Sequence, residues 1–280
     1  MARPIPDMDQ MTAAEVATDD SIIIDDTSAA ETKRINVGDL LGLPKFGWTS
    51  AGEVWTYSSW NSTTRTGVFT VPSNATTKYT VGMRVMITQS TGGTKYGIIH
   101  AVASTSLTVF FPVGTTFNNE TITNPYYSPL ASPQGFDRSA DKWSLESSLT
   151  TDGVLGGIAT SSWYNINSHS VAYGVGAWKI YGKVSCGMDR GAGGRTDVVG
   201  GLSLSNTAPT NQKWIGGGAT GNAGIFSANT FTISDDLVAA SAGTLYWITS
   251  PSAASPAALY NFGAGLIGGA RVIRLTSAYA

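Results

Sequence analysis

Few residues in this sequence have chemistry to offer: His100, His169, Cys186, the carboxylates Asp137, Asp141 and Glu146 near Trp143, and the aspartates Asp189, Asp197, Asp235 and Asp236. His100 lies in Ile98 to Val102, a run that alternates like a strand and sets it with Ile98 and Val102. No acid or nucleophile is spaced to serve it, so a satisfied core or interface histidine is expected. His169, in Asn167-Ser168-His169-Ser170, reads as a loop residue, and two unconnected histidines make no metal site. Cys186 is the only cysteine, which excludes an intrachain disulfide and a cysteine-based zinc site and points to synthesis in a reducing cytoplasm. Without a helix start or a histidine beside it, its thiol is expected to be buried and inert.

Asp137, Asp141 and Glu146 invite comparison with the acid pair of a glycosidase. Spacing along a loop says nothing about separation in space, and turn or capping roles suit these positions better. The aspartates form no ladder closed by a glutamate, so calcium is not expected. Gly191-Ala192-Gly193-Gly194-Arg195 and Gly216-Gly217-Gly218 lack the strand, helix and Lys-Ser/Thr context of a phosphate loop and read as mobile loops. No catalytic residue, cofactor or metal is predicted, and the chain is not expected to be an enzyme.

The aromatic residues say more. Trp55, Trp178 and Trp247 lie in alternating stretches and are predicted core or interface positions. Trp60, Trp163 and Trp214 stand beside Asn- and Ser-rich turns, where an aromatic face with amide neighbours could stack on a sugar; edge packing at the surface is the blander alternative. Asn61, Asn74 and Asn119 open Asn-Xaa-Thr sequences, which in so Thr-rich a chain are expected by chance.

What must hold these residues is β structure. Only 13% of the 280 residues are charged, and Gly, Ser, Thr and Asn fill the spaces between aromatic and β-branched clusters. A balance of 17 basic against 19 acidic residues, with no basic stripe, argues against nucleic acid. Met1 to Met8 contain no apolar stretch of signal-peptide length. The uncharged stretch Leu237 to Ala270 is interrupted by Pro251, Pro256 and Asn261, so no membrane insertion is expected.

The expected fold class is all-β, in four parts. Residues 1–45 are an extended N-terminal arm with a hairpin. Residues 46–114 are a small antiparallel β-barrel or sandwich, with strand signals about every ten residues from Val54-Trp55-Thr56-Tyr57 to Leu107-Thr108-Val109-Phe110-Phe111. Residues 115–134 read as a linker or long exposed connection, in which Tyr126-Tyr127 could lie on a neighbouring surface. Residues 135–280 form a C-terminal β-sandwich or jelly roll whose strands include Trp163 to Ile166, Ala177 to Val184 and Ala270 to Thr276. After Gly200 only Lys213, Asp235, Asp236, Arg271 and Arg274 are charged, which predicts cover by identical neighbours.

The arm carries the clearest pattern. Ile22-Ile23-Ile24 and Ile35-Asn36-Val37 flank the polar link Thr27-Ser28-Ala29-Ala30-Glu31-Thr32, and Gly38-Asp39-Leu40-Leu41-Gly42-Leu43-Pro44 follows. A lone hairpin is marginal in water, so Ile22, Ile23, Ile24, Ile35, Val37, Leu40 and Leu41 are expected to anchor on a partner. From Thr18-Asp19-Asp20 through Gly38-Asp39-Leu40 the segment resembles the N-terminal anchoring segment of tailed-bacteriophage tail fibres, tailspikes and related virion proteins. Tyr79-Thr80-Val81-Gly82-Met83-Arg84-Val85 is similar to a small barrel module of phage fibre and tail proteins. The resemblance implies a virion protein made in the host cytoplasm, a short fibre, head fibre or decoration protein. It would be homotrimeric, anchored to tail, neck or capsid, with an outer domain facing solvent and host surface polysaccharide. The alternatives are a tailspike-type polysaccharide-degrading enzyme using Asp137 or Asp141, although the long β-helix repeat is missing, and a free carbohydrate-binding module, which would have no use for the arm.

Overall fold

The computed structural model describes residues 21–26, 31–36, 47–72, 74–159, 161–189, 196–221, 227–251, 258–261 and 271–280. β1 (Ser21–Asp26) and β2 (Glu31–Asn36) form the expected antiparallel hairpin, with Ile22 opposite Ile35 and Ile23 opposite Arg34. They make a two-stranded sheet of their own. Val37, Leu40 and Leu41 lie outside the described residues.

The next eight strands are β3 (Thr49–Ser50), β4 (Val54–Asn61), β5 (Thr66–Thr70), β6 (Arg84–Gln89), β7 (Gly93–Ala103), β8 (Ser106–Phe110), β9 (Ile122–Thr123) and β10 (Tyr126–Ser128). Their order in the sheet is β3-β10-β6-β7-β8-β5-β4-β9. Asn124 and Pro125 alone join β9, at one end of that order, to β10 near the other, so the sheet must curl into a barrel. Trp55, Phe69, Tyr79, Val85, Ile87, Ile99, Leu107, Val109, Phe111 and Ile122 fill its interior.

This corrects the expectation of a linker over 115–134. Tyr126 and Tyr127 pair with both β3 and β6, and Ile122 pairs with Trp55, so the segment closes the barrel. Pro125, Pro129 and Pro133 hid it, because strands this short carry almost no periodicity to set against them.

A bulge between Ile99 and Ala101 decides where the face of β7 points. Ile98 and His100 face away from the barrel interior, whereas Ile99 and Val102 pack on it. Strict alternation had put His100 on the side of Val102, and an extra residue in a strand reverses that parity.

The C-terminal strands are β11 (Ser144–Leu149), β12 (Gly153–Gly156), β13 (Ser170–Tyr173), β14 (Gly176–Asp189), β15 (Thr196–Ser203), β16 (Ile215–Gly221), β17 (Ser227–Ala239), β18 (Gly243–Pro251), β19 (Ala258–Asn261) and β20 (Arg271–Ser277). The antiparallel pairs nest: β15 with β16, β14 with β17, β13 with β18, β12 with β19. That is a long hairpin folded over on itself, a jelly roll of two sheets ordered β12-β19-β14-β17 and β13-β18-β15-β16. β20 runs along the first half of β14 and pairs on its other side with β11. In β20, Ile273 and Leu275 point inward, as their alternation predicted.

Two local expectations fail. Trp163 to Ile166 is not a strand but a single bridge, Tyr164 to Thr249, followed by a 3-10 turn at Ile166–Ser168 with Asn167 and Ser168 in the left-handed region. Gly216-Gly217-Gly218 is not a loop but part of β16, where β15 can approach closely because glycines leave room.

Barrel and jelly roll share one core. Met86, Ile98 and Phe110 on the barrel pack in the same cluster as Phe136, Trp143, Leu145, Trp178 and Leu275. Two buried arginines line this seam, and Arg65 staples it through carbonyl oxygens. Arg65 donates to Lys142 O at 3.0 Å and to Ser144 O, with its guanidinium 4.9 Å from the Phe110 ring centroid. Arg84 donates to Ala131 O at 3.3 Å and to Gly82 O, and lies 5.0 Å from the Phe136 centroid. Among the described residues neither forms an ion pair with a carboxylate, and burial pulls the Arg65 guanidinium down to about 10.

Candidate functional site

The seam gathers the residue with most chemical promise. His100 is 2% exposed, between Phe110, Trp178 and Tyr279. Its Nδ1 lies 3.1 Å from Val175 O and its Nε2 2.8 Å from Ser277 Oγ. A carbonyl only accepts, so Nδ1 carries the proton and Nε2 accepts from the serine hydroxyl. Burial drives the imidazole down to about 4, which keeps this neutral tautomer at ordinary pH. With both nitrogens engaged and no path to solvent, it is the interface histidine that its pattern predicted.

His169, expected in a loop without a partner, is buried inside the jelly roll. Its Nε2 donates to Ser147 O at 3.1 Å, and its carbonyl receives Trp247 N at 3.0 Å and Asn165 Nδ2 at 2.9 Å. His100 and His169 have separate hydrogen-bond partners, and among the described residues no group of His, Cys, Asp and Glu could hold a metal ion. Cys186 lies fully buried in β14, where burial pushes its thiol up to about 12, far from a reactive thiolate.

The three carboxylates are tied down. Asp137 accepts from Ser139 N at 2.8 Å, the turn role its position suggested, and pairs with Lys142 at 2.5 Å. Asp141 and Glu146 flank one guanidinium, that of Arg274, at 3.0 and 2.7 Å. Each is held by a cation, and for Asp137 the Lys142 ammonium and the Ser139 N–H lower the carboxyl below its ordinary value. Trp143, their neighbour in sequence, is buried, stacked on Phe136 at 4.8 Å, and donates to Asp137 O at 2.6 Å.

The three tryptophans weighed as sugar platforms are not alike. Trp60 is half-buried, with Phe117 at 5.0 Å and Phe111 at 5.9 Å from its centroid. Trp163 is half-buried beside the Tyr164 bridge. Trp214 is only 4% exposed and donates its indole N–H to Asp235 Oδ2 at 2.6 Å, so it ties one sheet to the other and offers no face to a ligand. That corrects its reading as a glycan contact: the turn beside it is polar, but its ring points inward. No described contact joins the three.

Sequence reasoning missed a polar groove where the barrel closes, lined by Thr88, Ser90, Thr121, Thr123, Asn124 and Tyr126. Hydroxyls spread over two short strands give no motif, and the only signal was the recurrence of Thr and Ser at every second position.

No family model matches the chain, and no curated protein does. Among solved structures it is similar to dimeric latent PorU from Porphyromonas gingivalis, at 11% identity and a TM-score of 0.25, over 83% of this chain and 25% of that one. It is also similar to the structure of infectious bursal disease virus Gt strain, at 8% identity and a TM-score of 0.26, over 85% of this chain and 63% of that one. For the Gx strain the values are 9%, 0.23, 83% and 62%. The chain thus spans a quarter of the first and less than two thirds of the other two. Among the described residues, no helix is long and apolar enough to cross a membrane.

Proposed function

We propose that this chain is a structural component of a tailed-phage particle, a short fibre or decoration protein held by its N-terminal hairpin to tail, neck or capsid. The observation that carries this reading is that, among the described residues, β1 and β2 pair with each other alone, while the strands from Thr49 onward belong to a barrel and a jelly roll that share a core. A hairpin of that size is marginal alone, and its isoleucines need a surface; strand addition or burial on another virion protein would supply one. Burying each such side chain contributes about 1.5 to 3 kcal/mol. The reading includes no catalysis: the carboxylates that a polysaccharide-degrading enzyme would use are bound in ion pairs.

Deleting residues 1–43 should leave circular dichroism and melting nearly unchanged and abolish incorporation into particles. Ile23→Asp with Val37→Asp should do the same by placing unpaired charge in the docking surface. Wild-type occupancy of particles by the truncated chain would rule the anchor out.

The assembly we propose is a homotrimer, supported by the scarcity of charge after Gly200 and by Val238, which is 82% exposed on the outer face of β17. Light scattering should return three times the 29.2 kDa chain mass, and a stable monomer at micromolar concentration would remove this part of the proposal.

A further inference from the structure

We infer that the groove at the barrel closure binds a neutral saccharide. Gln89 and Ile122 point into the barrel, so Thr88 and Ser90 on one strand, and Thr121 and Thr123 on the other, point outward. β6 and β9 lie side by side without a ladder, since β6 pairs with β7 and β10, and β9 pairs with β4. Where hydrogen-bonded strands would seal the wall, two short rows of hydroxyls face each other across an open groove of about 340 Å³.

Some of those groups are fixed and some are free. Thr88 Oγ1 lies 3.0 Å from Thr94 Oγ1, and Ser90 Oγ donates to Glu120 Oε2. The turn behind them is braced by Gln89 Nε2 donating to Asn118 O at 2.8 Å and by Asn118 N donating to Gln89 Oε1 at 3.2 Å. The side chains of Thr121, Thr123 and Asn124 have no hydrogen-bond partner among the described residues, and Asn124 holds a left-handed backbone, φ 50°, at the rim. Half-buried Tyr126 packs on the seam core and also lines the groove.

This lining selects its ligand by chemistry. Hydroxyls and an amide both donate and accept, so they suit a ligand dense in groups that do the same. No cation lines the groove, and Glu120 stands beside it, which disfavours phosphate, sulfate and nucleic acid. A ligand without charge and dense in hydroxyls is a sugar, and the volume suits a short oligosaccharide. The site lies wholly on the barrel and goes beyond the anchoring proposal.

The test is a glycan array probed with the full chain, carrying neutral oligomers of glucose, galactose, mannose and N-acetylhexosamines, sulfated oligosaccharides, and an unstructured peptide. Saturation-transfer NMR of the hits follows. Binding to at least one neutral oligosaccharide is expected, at millimolar to micromolar Kd, and Thr121→Val with Thr123→Val should weaken it roughly tenfold, the effect of about one lost hydrogen bond. Both positions are exposed, so circular dichroism and melting should not change. Silence from every neutral oligosaccharide, preference for the sulfated sugars or the peptide, or binding that ignores the double variant would each overturn the inference. Deleting residues 1–43 should leave this binding intact, which keeps its failure distinct from that of the anchor.

Discussion

Replacing Gly201 by alanine is expected to destabilise the jelly roll by about 3 kcal/mol or more, the upper range for overpacking a tight interior. A Cβ there would stand 2.4 Å from Trp214 O, 2.6 Å from Ile215 Cδ1 and 2.8 Å from Ile215 Cα. Two of those atoms are backbone, so no rotamer change relieves the clash. Gly201 pairs directly with Ile215, next to the register shift between Val199 and Gly200, and the preceding Trp214 is moored to Asp235 on the opposite sheet. Moving Ile215 aside would therefore drag on both sheets. Gly92→Ala makes a useful contrast: its Cβ would meet the Nζ of Lys95, the far end of a flexible side chain that can swing aside, so a smaller loss is expected. Urea unfolding of both variants measures this, and a Gly201→Ala midpoint equal to wild type would contradict the packing described.

Acid should weaken the protein through His100. In the unfolded chain its imidazole takes a proton near pH 6.5, while in the folded protein burial defers that to about 4. Between those values the unfolded state binds more protons, so stability is full above pH 6.5 and falls as the pH drops toward 4, by about 3 kcal/mol at the lower end. For a chain of this size that corresponds to roughly 6–12 °C in Tm. His169, also lowered by burial, adds in the same direction. Phe110, Trp178, Tyr279, the Val175 carbonyl and the Ser277 hydroxyl surround His100, and none of these groups carries a charge. His100→Asn keeps a donor toward Val175 O without a titrating ring. It should cost about 1 kcal/mol at neutral pH and flatten the acid slope. If melting curves of wild type and His100→Asn fall in parallel from pH 7 to 4.5, the seam histidine is not the cause.

The all-β class, the hairpin and the barrel strands were legible because each long strand carries its own alternation or turn signal, as in Leu107 to Phe111 or Arg271 to Ser277. The nesting of the jelly roll was not. Nothing in Gly153-Val154-Leu155-Gly156 says that its partner is Ala258–Asn261, since such pairing is set by the whole chain. Small residues misled in β16, where three glycines suggested a loop, and a single bulge in β7 turned Val102 away from His100. Among the site residues, the burial of His100 could be read from its neighbours, but its link to Ser277 could not, because it joins positions far apart in sequence. Trp214 shows the opposite limit: polar surroundings in sequence do not place an indole at the surface.

The position of β20 has a consequence for how the chain is made. This strand pairs with both β11 and β14, brings Ser277 to His100, and is followed by Tyr279, whose ring sits beside Gly82. On the ribosome His100 therefore lacks its Ser277 and Tyr279 partners until synthesis has passed position 279. The innermost pair, β15 with β16, can zip at once, whereas β12 must wait about a hundred residues for β19, so closure proceeds outward through ever larger loops and is intrinsically slow. Any chain that stalls or is cut before β20 leaves the seam without Ile273, Leu275 and Tyr279 to complete its apolar cover. Expression yield should accordingly depend on chaperone capacity and low temperature more than on codon choice ahead of the barrel.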